Sequence, residues 1–137
     1  MLQHISQQVY AAISFARGEQ PDLQQLSALF IEQGILINNK GDKPMIKPVA
    51  DYITFIQHNI NTGNIQALQE TELKVELEVF GKVAQLRSSY QLDFMTQETS
   101  MTRYGVNLFQ LIQQHEKWLI ASMCWDDAID QAWLSSF

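Results

Sequence analysis

Two side chains in this sequence are candidates for a general base: His58 and Asp93. A general base is a titratable group within hydrogen-bond reach of the proton it removes, and burial usually moves its pKa toward neutrality. His58 lies on a predicted helix, and Asp93 lies near the end of a predicted strand. Each has a structural alternative, because an unpartnered histidine often faces solvent and a carboxylate at a strand end is often exposed. These two residues are candidates for a general base, but they do not indicate which reaction the protein would catalyse.

Four tyrosines and three tryptophans offer the walls and hydrogen-bond donors of a ligand pocket. Tyr10 and Tyr52 lie on predicted helices that would cover a sheet, and Trp125 lies at the end of a predicted strand. We expect these three residues to line a pocket between the helices and the sheet. Ordinary core packing is the alternative for each of them.

Other kinds of site have little support in the sequence. His4, His58 and His115 lack the spacing of metal ligands, and no cluster of carboxylates or cysteines completes a site, so we predict no metal and no cofactor. Cys124 is the only cysteine, which excludes an intrachain disulfide within these residues and suits a reducing compartment. With no base beside it in the sequence, Cys124 is interpreted as a small core residue.

Composition and charge narrow the class of protein. A length of 137 residues suits one domain, which we place at 1–137. The net charge of −6 disfavours nucleic acid, because phosphate binding depends on clustered Lys and Arg. Polar residues interrupt every apolar stretch, including the N-terminal one, so the sequence predicts no signal peptide, no membrane span and a cytoplasmic protein.

Helical spacing dominates the first half of the chain. The first predicted helix ends near Gly18, the second follows a capping Asp22 and is ended by Gly34, and the third has Pro48 in its first turn. The predicted elements are helices at 2–16, 23–30 and 48–60, a short strand at 35–37 and a surface loop at 38–44. Helices that precede a run of strands predict an α+β domain.

From Leu73 onward the apolar period changes to two, which predicts antiparallel strands at 73–79, 83–94, 104–112 and 118–125. The hairpin over 104–127 is apolar on both faces, so neither face can be left in water. We expect one face to line a pocket and the other to meet a partner subunit. Asp126 or Asp127 is expected to cap a short terminal helix.

Two stretches resemble the nuclear transport factor two-like superfamily, in its SnoaL-like branch: FGKVAQLRSSY at 80–90, and the segment from YGVN at 104–107 to WDD at 125–127. The resemblance covers nearly the whole chain. It implies a cone-shaped α+β domain in which N-terminal helices pack on a strongly curved antiparallel sheet, with a short C-terminal helix. It also implies a homodimer formed through the outer face of the sheet.

The resemblance implies a site as well. Superfamily enzymes include ketosteroid isomerases, polyketide cyclases and scytalone dehydratase, which transfer protons without a bound cofactor, whereas other members only bind or assemble. Against the ketosteroid isomerase pattern, Tyr10 falls near the tyrosine that hydrogen-bonds the substrate oxygen. Asn38 takes the place of the catalytic aspartate, and an amide accepts no proton at neutral pH. The departure argues against isomerase chemistry of that type and leaves Asn38 as a ligand-binding candidate.

The sequence therefore leaves two functions open. The first is a small-molecule-binding or dimeric scaffold domain with an apolar pocket. The second is a cofactor-free enzyme for proton abstraction or dehydration of a small hydrophobic carbonyl compound, with Tyr10 or Tyr52 as the donor and His58 or Asp93 as the base. A buried base near a pocket tyrosine favours the enzyme, and a cavity filled by Phe and Leu side chains excludes it.

Overall fold

A computed structural model describes residues 2–136, which fold as an α+β domain of three α-helices and a six-stranded sheet. The elements in chain order are a 3-10 turn at Leu2–His4, α1 (Ile5–Ile13), α2 (Leu23–Ala28), β1 (Phe30–Asn38), β2 (Met45–Pro48), α3 (Val49–Asn61), β3 (Ala67–Phe80), β4 (Val83–Met95), β5 (Ser100–Gln114), β6 (Lys117–Asp127) and a 3-10 turn at Gln131–Ser136. No helix in this described part of the chain has the length and hydropathy of a membrane span.

The strands form one curved sheet in the order β2-β1-β6-β5-β4-β3. Neighbouring strands are antiparallel except β1 and β6, which run parallel. Irregular register in β1, β3 and β6 marks β-bulges, which bend and twist a sheet. The curvature wraps the inner face around the helices, with α1 against β3 and α3 against β1 and β2.

The central hairpin predicted over 104–127 is confirmed as β5 and β6. His115 and Glu116 form its tip with φ of 51° and 66°, the left-handed geometry of a tight hairpin turn. The predicted inner face of β4 is also confirmed, because Ala84, Leu86 and Tyr90 are buried together with Ser88. The sequence pattern was strongest on these strands, and they form the floor of the site described below.

The first helix is shorter than its apolar spacing predicts. It ends at Ile13 rather than Ala16, because Ser14 turns extended and Phe15 pairs with β3. The Phe15 N–H donates to the Leu68 carbonyl at 2.8 Å, and the Leu68 N–H returns a bond of 3.0 Å. The chain thus exchanges a last helical turn for a bridge that closes one side of the sheet.

The region around Gly34 also differs from prediction. Gly34 lies within β1, which begins at Phe30, so it does not end a helix, and the strand is longer than the predicted 35–37. A side chain at Gly34 would lie 2.9 Å from the Phe30 ring, which explains a glycine at this position. The strand β2 was not predicted, since two prolines and a lysine-rich segment there are typical of a loop.

The chain end after β6 forms a 3-10 turn instead of a capped α-helix. β6 continues through Asp127, so neither Asp126 nor Asp127 caps the terminal turn as predicted. Asp130 does so instead: its Oδ1 accepts the Trp133 N–H at 3.1 Å. Asp127 is therefore available for contacts on the inner face of the sheet.

Candidate active site

A cavity of about 190 Å³ lies between the inner face of the sheet and the three helices. Most of its wall is apolar, and core side chains do not fill it. Polar groups on the wall come from Asn38, Lys40, Glu70 and Asn107, together with the phenols of Tyr52 and Tyr90. A mostly apolar cavity with a few convergent polar groups is the usual form of a small-molecule site.

Glu70 on β3 is the carboxylate that this wall carries. Burial raises the pKa of Glu70 from its usual 4.5 to about 7, while the Asn107 amide and the Lys40 ammonium pull it down and Asp127 pushes it up. The carboxyl group is therefore close to half ionised at neutral pH. This is the condition in which one group can both remove and return a proton.

A buried chain of hydrogen bonds begins at Glu72, two residues further along β3. Ser6 Oγ and Ser88 Oγ both donate to Glu72 Oε2, the second at 2.6 Å. The single hydroxyl proton of Ser88 is thereby used, so Tyr10 must donate in its 2.6 Å contact with Ser88 Oγ. Tyr10 consequently has no proton to offer a ligand while this chain is intact.

The same chain reaches Glu70 through Asn107. Asn107 Nδ2 donates to Tyr10 Oη at 2.9 Å and to Glu70 Oε1 at 3.4 Å. Because the Tyr10 proton points away to Ser88, its oxygen is free to accept the amide N–H. The direction of the whole chain therefore presents an Asn107 N–H to the Glu70 carboxylate and orients it on the cavity wall.

Replacing Tyr10 with phenylalanine is expected to lower the free energy of unfolding by about 2 kcal/mol, because it leaves an Asn107 N–H without its acceptor in the core. Urea unfolding at neutral pH measures the change. Tyr104→Phe is the matched control: the Tyr104 hydroxyl makes no hydrogen bond to any residue within 2–136, so its loss should change stability by less than about 0.5 kcal/mol. Equal losses in the two variants would contradict the directed chain.

Tyr52 on α3 faces the cavity with an available hydroxyl. Its ring packs edge-on against Trp125, with centroids 6.0 Å apart and planes at 84°, and lies 6.3 Å from the Phe55 ring. The hydroxyl makes no hydrogen bond to any other described residue. Burial and the nearby Glu70 carboxylate both raise the pKa of Tyr52, so it stays protonated. It is a donor without a protein acceptor, on the same cavity as Glu70.

Lys40 and Tyr90, which line the cavity, both contact Asp127. The Tyr90 hydroxyl donates to Asp127 Oδ1 at 2.8 Å, and Lys40 Nζ lies 3.6 Å from Asp127 Oδ2. Burial, and then the hydrogen bond to Asp127, raise the pKa of Tyr90. Since Tyr90 and Lys40 are both engaged by Asp127, the Tyr52 hydroxyl is the better placed donor for a ligand.

The predicted site residues separate into two groups. Tyr52 and Trp125 line the cavity, and so does Asn38, which lies at the end of β1 and not in a surface loop. Tyr10 lies behind its wall, where it is buried and committed to Ser88. This corrects its expected role as the donor to a ligand.

Neither predicted base lies on the cavity. His58 is exposed on α3. Asp93 lies on the outer face of β4, where it accepts from Thr102 Oγ1 at 2.6 Å and from Gln91 Nε2 at 3.1 Å. Glu70 occupies the position of a base instead, and the sequence reasoning missed it because the predicted strand began only at Leu73. Among residues 2–136, no three His, Cys, Asp or Glu side chains group closely enough to hold a metal ion.

A curved sheet closed over helices around a cavity defines the cystatin-like fold, and solved structures of that fold resemble this chain. One is a protein of unknown function with a cystatin-like fold from Nostoc punctiforme, with a TM-score of 0.68 and 13% identity over 94% of this chain and 90% of that one. Another, from Streptomyces avermitilis, is named as a candidate dehydratase of the NTF2-like family, with a TM-score of 0.72 and 11% identity over 94% and 95%.

A third similar structure, from Novosphingobium aromaticivorans, is named as a candidate scytalone dehydratase, with a TM-score of 0.73 and 11% identity over 93% of this chain and 82% of that one. No family model and no curated protein matches the sequence. The resemblance to the nuclear transport factor two-like superfamily is thus confirmed at the level of the fold. At these identities the activity has to be argued from the site.

Proposed function

We propose that this protein is a cofactor-free enzyme that abstracts a proton next to the carbonyl group of a small hydrophobic compound. The observation that carries the proposal is Glu70, a carboxyl group with a pKa of about 7 on the wall of an apolar cavity. In the ionised form Glu70 takes the proton from carbon, and the electrons of the C–H bond move toward the carbonyl oxygen. The Tyr52 hydroxyl donates a hydrogen bond to that oxygen as negative charge develops.

Hydrogen–deuterium exchange tests this step without knowledge of the natural substrate. A panel of small ketones is incubated with the protein in D₂O, and loss of the α-proton signals is followed by NMR. We expect exchange that rises with pH through about 7, as Glu70 ionises, and that saturates with ketone concentration. Saturable binding of the ketones with exchange no faster than in buffer would contradict the enzyme. That result would support the second candidate, a non-catalytic domain that binds small molecules in the same cavity.

Replacing Tyr52 with phenylalanine should slow the exchange by about a hundredfold, because the enolate loses its hydrogen-bond donor. Stability should change by less than about 0.5 kcal/mol, since the hydroxyl bonds to no other described residue. Exchange kinetics and urea unfolding of the same sample measure both quantities. A variant that loses stability and activity together would indicate a structural role for the hydroxyl.

A homodimer through the outer face of the sheet is part of this proposal. The outer faces of β3 and β4 carry ion pairs such as Arg87 with Glu76, whereas β5 exposes 52% of Leu108 beside Val106 and Cys124. A second copy of the chain would cover this apolar patch. Sedimentation equilibrium at micromolar concentration should give twice the monomer mass, and Leu108→Glu should reduce the dimer. A monomer throughout would contradict this arrangement.

A cytoplasmic location is proposed as well, and it rests on the single free cysteine. Cell fractionation would test it, and recovery of the protein in a secreted fraction would oppose it.

A further inference from the structure

We propose that the cavity takes neutral ketones with one six-membered ring, and that larger ring systems are rejected. The proposal rests on the proposed function, because it names the class of substrate that the same cavity accepts. Size is its first argument: a dry protein cavity of about 150 Å³ holds benzene. The cavity here, at about 190 Å³, has room for a single ring and a short carbonyl substituent. A second fused ring would exceed this space.

The shape of the wall supports a flat ring. Tyr52, Phe55, Phe94 and Trp125 line the cavity, and Tyr52 and Trp125 already meet edge to face. Aromatic rings favour offset or edge-to-face neighbours, so a planar guest ring can add to this group without disturbing it. A branched aliphatic chain of similar volume would lose that geometry.

The charges on the wall favour a neutral compound. Lys40 is paired with Asp127 at 3.6 Å, and Glu70 is the second carboxylate beside them. An anionic ligand would lie next to Glu70 and Asp127, and a cationic ligand would have to compete with Lys40. A carbonyl oxygen needs only the free Tyr52 hydroxyl, and a C–H bond beside it can face Glu70.

A matched series of methyl ketones tests the size limit, because the reacting group stays constant while the ring changes. The series is acetone, acetophenone and 2-acetylnaphthalene, and the reaction is exchange of the methyl protons in D₂O. Glu70 removes a methyl proton, the C–H electron pair forms the enolate, and a deuteron returns from Glu70 after it exchanges with solvent.

Acetophenone should exchange at least about tenfold faster than acetone in kcat/KM, since burial of one ring adds at least that much binding. The kcat/KM for acetophenone should also exceed that for 2-acetylnaphthalene by about tenfold, because overpacking a cavity is unfavourable. Phe94→Ala, which removes a half-buried ring from the wall, should reverse the preference between the two aromatic ketones. Ile65→Trp should abolish saturable acetophenone binding by filling the cavity.

The outcomes separate the size limit from the chemistry. Equal or faster exchange of 2-acetylnaphthalene by the unmodified protein overturns the single-ring limit and leaves the proposed enzyme intact. Binding that follows the predicted order, without exchange of any ketone, supports the ligand class and overturns the enzyme. Acetophenone binding that Ile65→Trp leaves unchanged places the ligand outside this cavity and overturns the inference.

Discussion

Replacing Glu70 with glutamine is expected to abolish α-proton exchange and at the same time to stabilise the protein above neutral pH. Loss of a general base typically costs about a hundredfold to ten-thousandfold in rate. Glutamine keeps the shape of the side chain and an oxygen that can accept from Asn107, so the cavity should persist. Exchange in D₂O measures the first effect, and urea unfolding measures the second.

The stability effect has a defined sign and pH range. The fold raises the pKa of Glu70 from 4.5 to about 7, so the folded protein favours the protonated carboxyl group. This contribution to stability is fully present below pH 4.5 and is lost as the pH rises through about 7, where the folded state must hold a buried charge. The amide of the Glu70→Gln variant carries no such charge. The variant should match the parent at about pH 4 and exceed its free energy of unfolding by about 3 kcal/mol at about pH 8.5.

Glu78→Gln is the matched control for this experiment, because Glu78 lies on the same strand with an exposed side chain. It should leave exchange unchanged and should show no stability gain that grows with pH. If Glu70→Gln were equally destabilising at both pH values, Glu70 would be a structural hydrogen-bond partner rather than a buried acid. If exchange survived in Glu70→Gln, the base would have to be another group.

Glu70 was hidden from sequence reasoning by a single extra residue. In the sequence, the apolar residues Leu73, Val75 and Leu77 alternate with charged residues. This pattern places the odd-numbered residues inward and would direct Glu70 outward. The register between β3 and β4 shifts between Glu72 and Lys74, and this bulge leaves Leu73 45% exposed. Before the bulge the even residues face inward. A one-residue change of phase therefore turned two glutamates into the core, which alternation alone cannot predict.

The strands β4, β5 and β6 were predicted well because their inner faces repeat with little interruption and their turns are short. Tyr52 lines the cavity from a helix whose buried face is evident from its apolar spacing. Asn38 also lines the cavity, but its spacing predicted only a surface loop, and the family resemblance alone made it a candidate. The strand β2 and the end of α1 depend on long-range pairing instead, such as the bridge between Phe15 and Leu68. Local spacing carries no information about such partners.

The sequence identifies the hydrogen-bond donor to a ligand only as one of two tyrosines. Tyr10 and Tyr52 were equivalent candidates from their helical positions, and both residues are buried. The two tyrosines differ in their hydrogen bonds. The Tyr10 hydroxyl donates to Ser88, whereas the Tyr52 hydroxyl makes no hydrogen bond to another described residue. Such a difference arises from contacts across 78 residues of sequence and requires the structure.

Replacing Gly105 with alanine is expected to be the most destabilising of the substitutions considered, with a loss of about 3 kcal/mol. Gly105 pairs with Tyr90 across β4 and β5, and the Tyr90 phenol passes directly over it to reach Asp127 on β6. A Cβ at this position would overlap the phenol oxygen and lie 2.6 Å from the Asp126 carbonyl oxygen. Overpacking and loss of a hydrogen bond to a carboxylate each contribute about 1–3 kcal/mol.

Gly41→Ala is the control for the loss of glycine itself, because a Cβ there would meet nothing closer than 3.9 Å and stability should change by less than about 0.5 kcal/mol. The cause of the Gly105 effect can be isolated with Tyr90→Leu, which removes the phenol. If the overlap with Tyr90 dominates, the double variant should be about 1 kcal/mol more stable than the sum of the two single losses predicts. Strict additivity would instead assign the loss of stability to the clash with the Asp126 carbonyl. The passage of Tyr90 over Gly105 would then have no part in holding Asp127 beside Lys40.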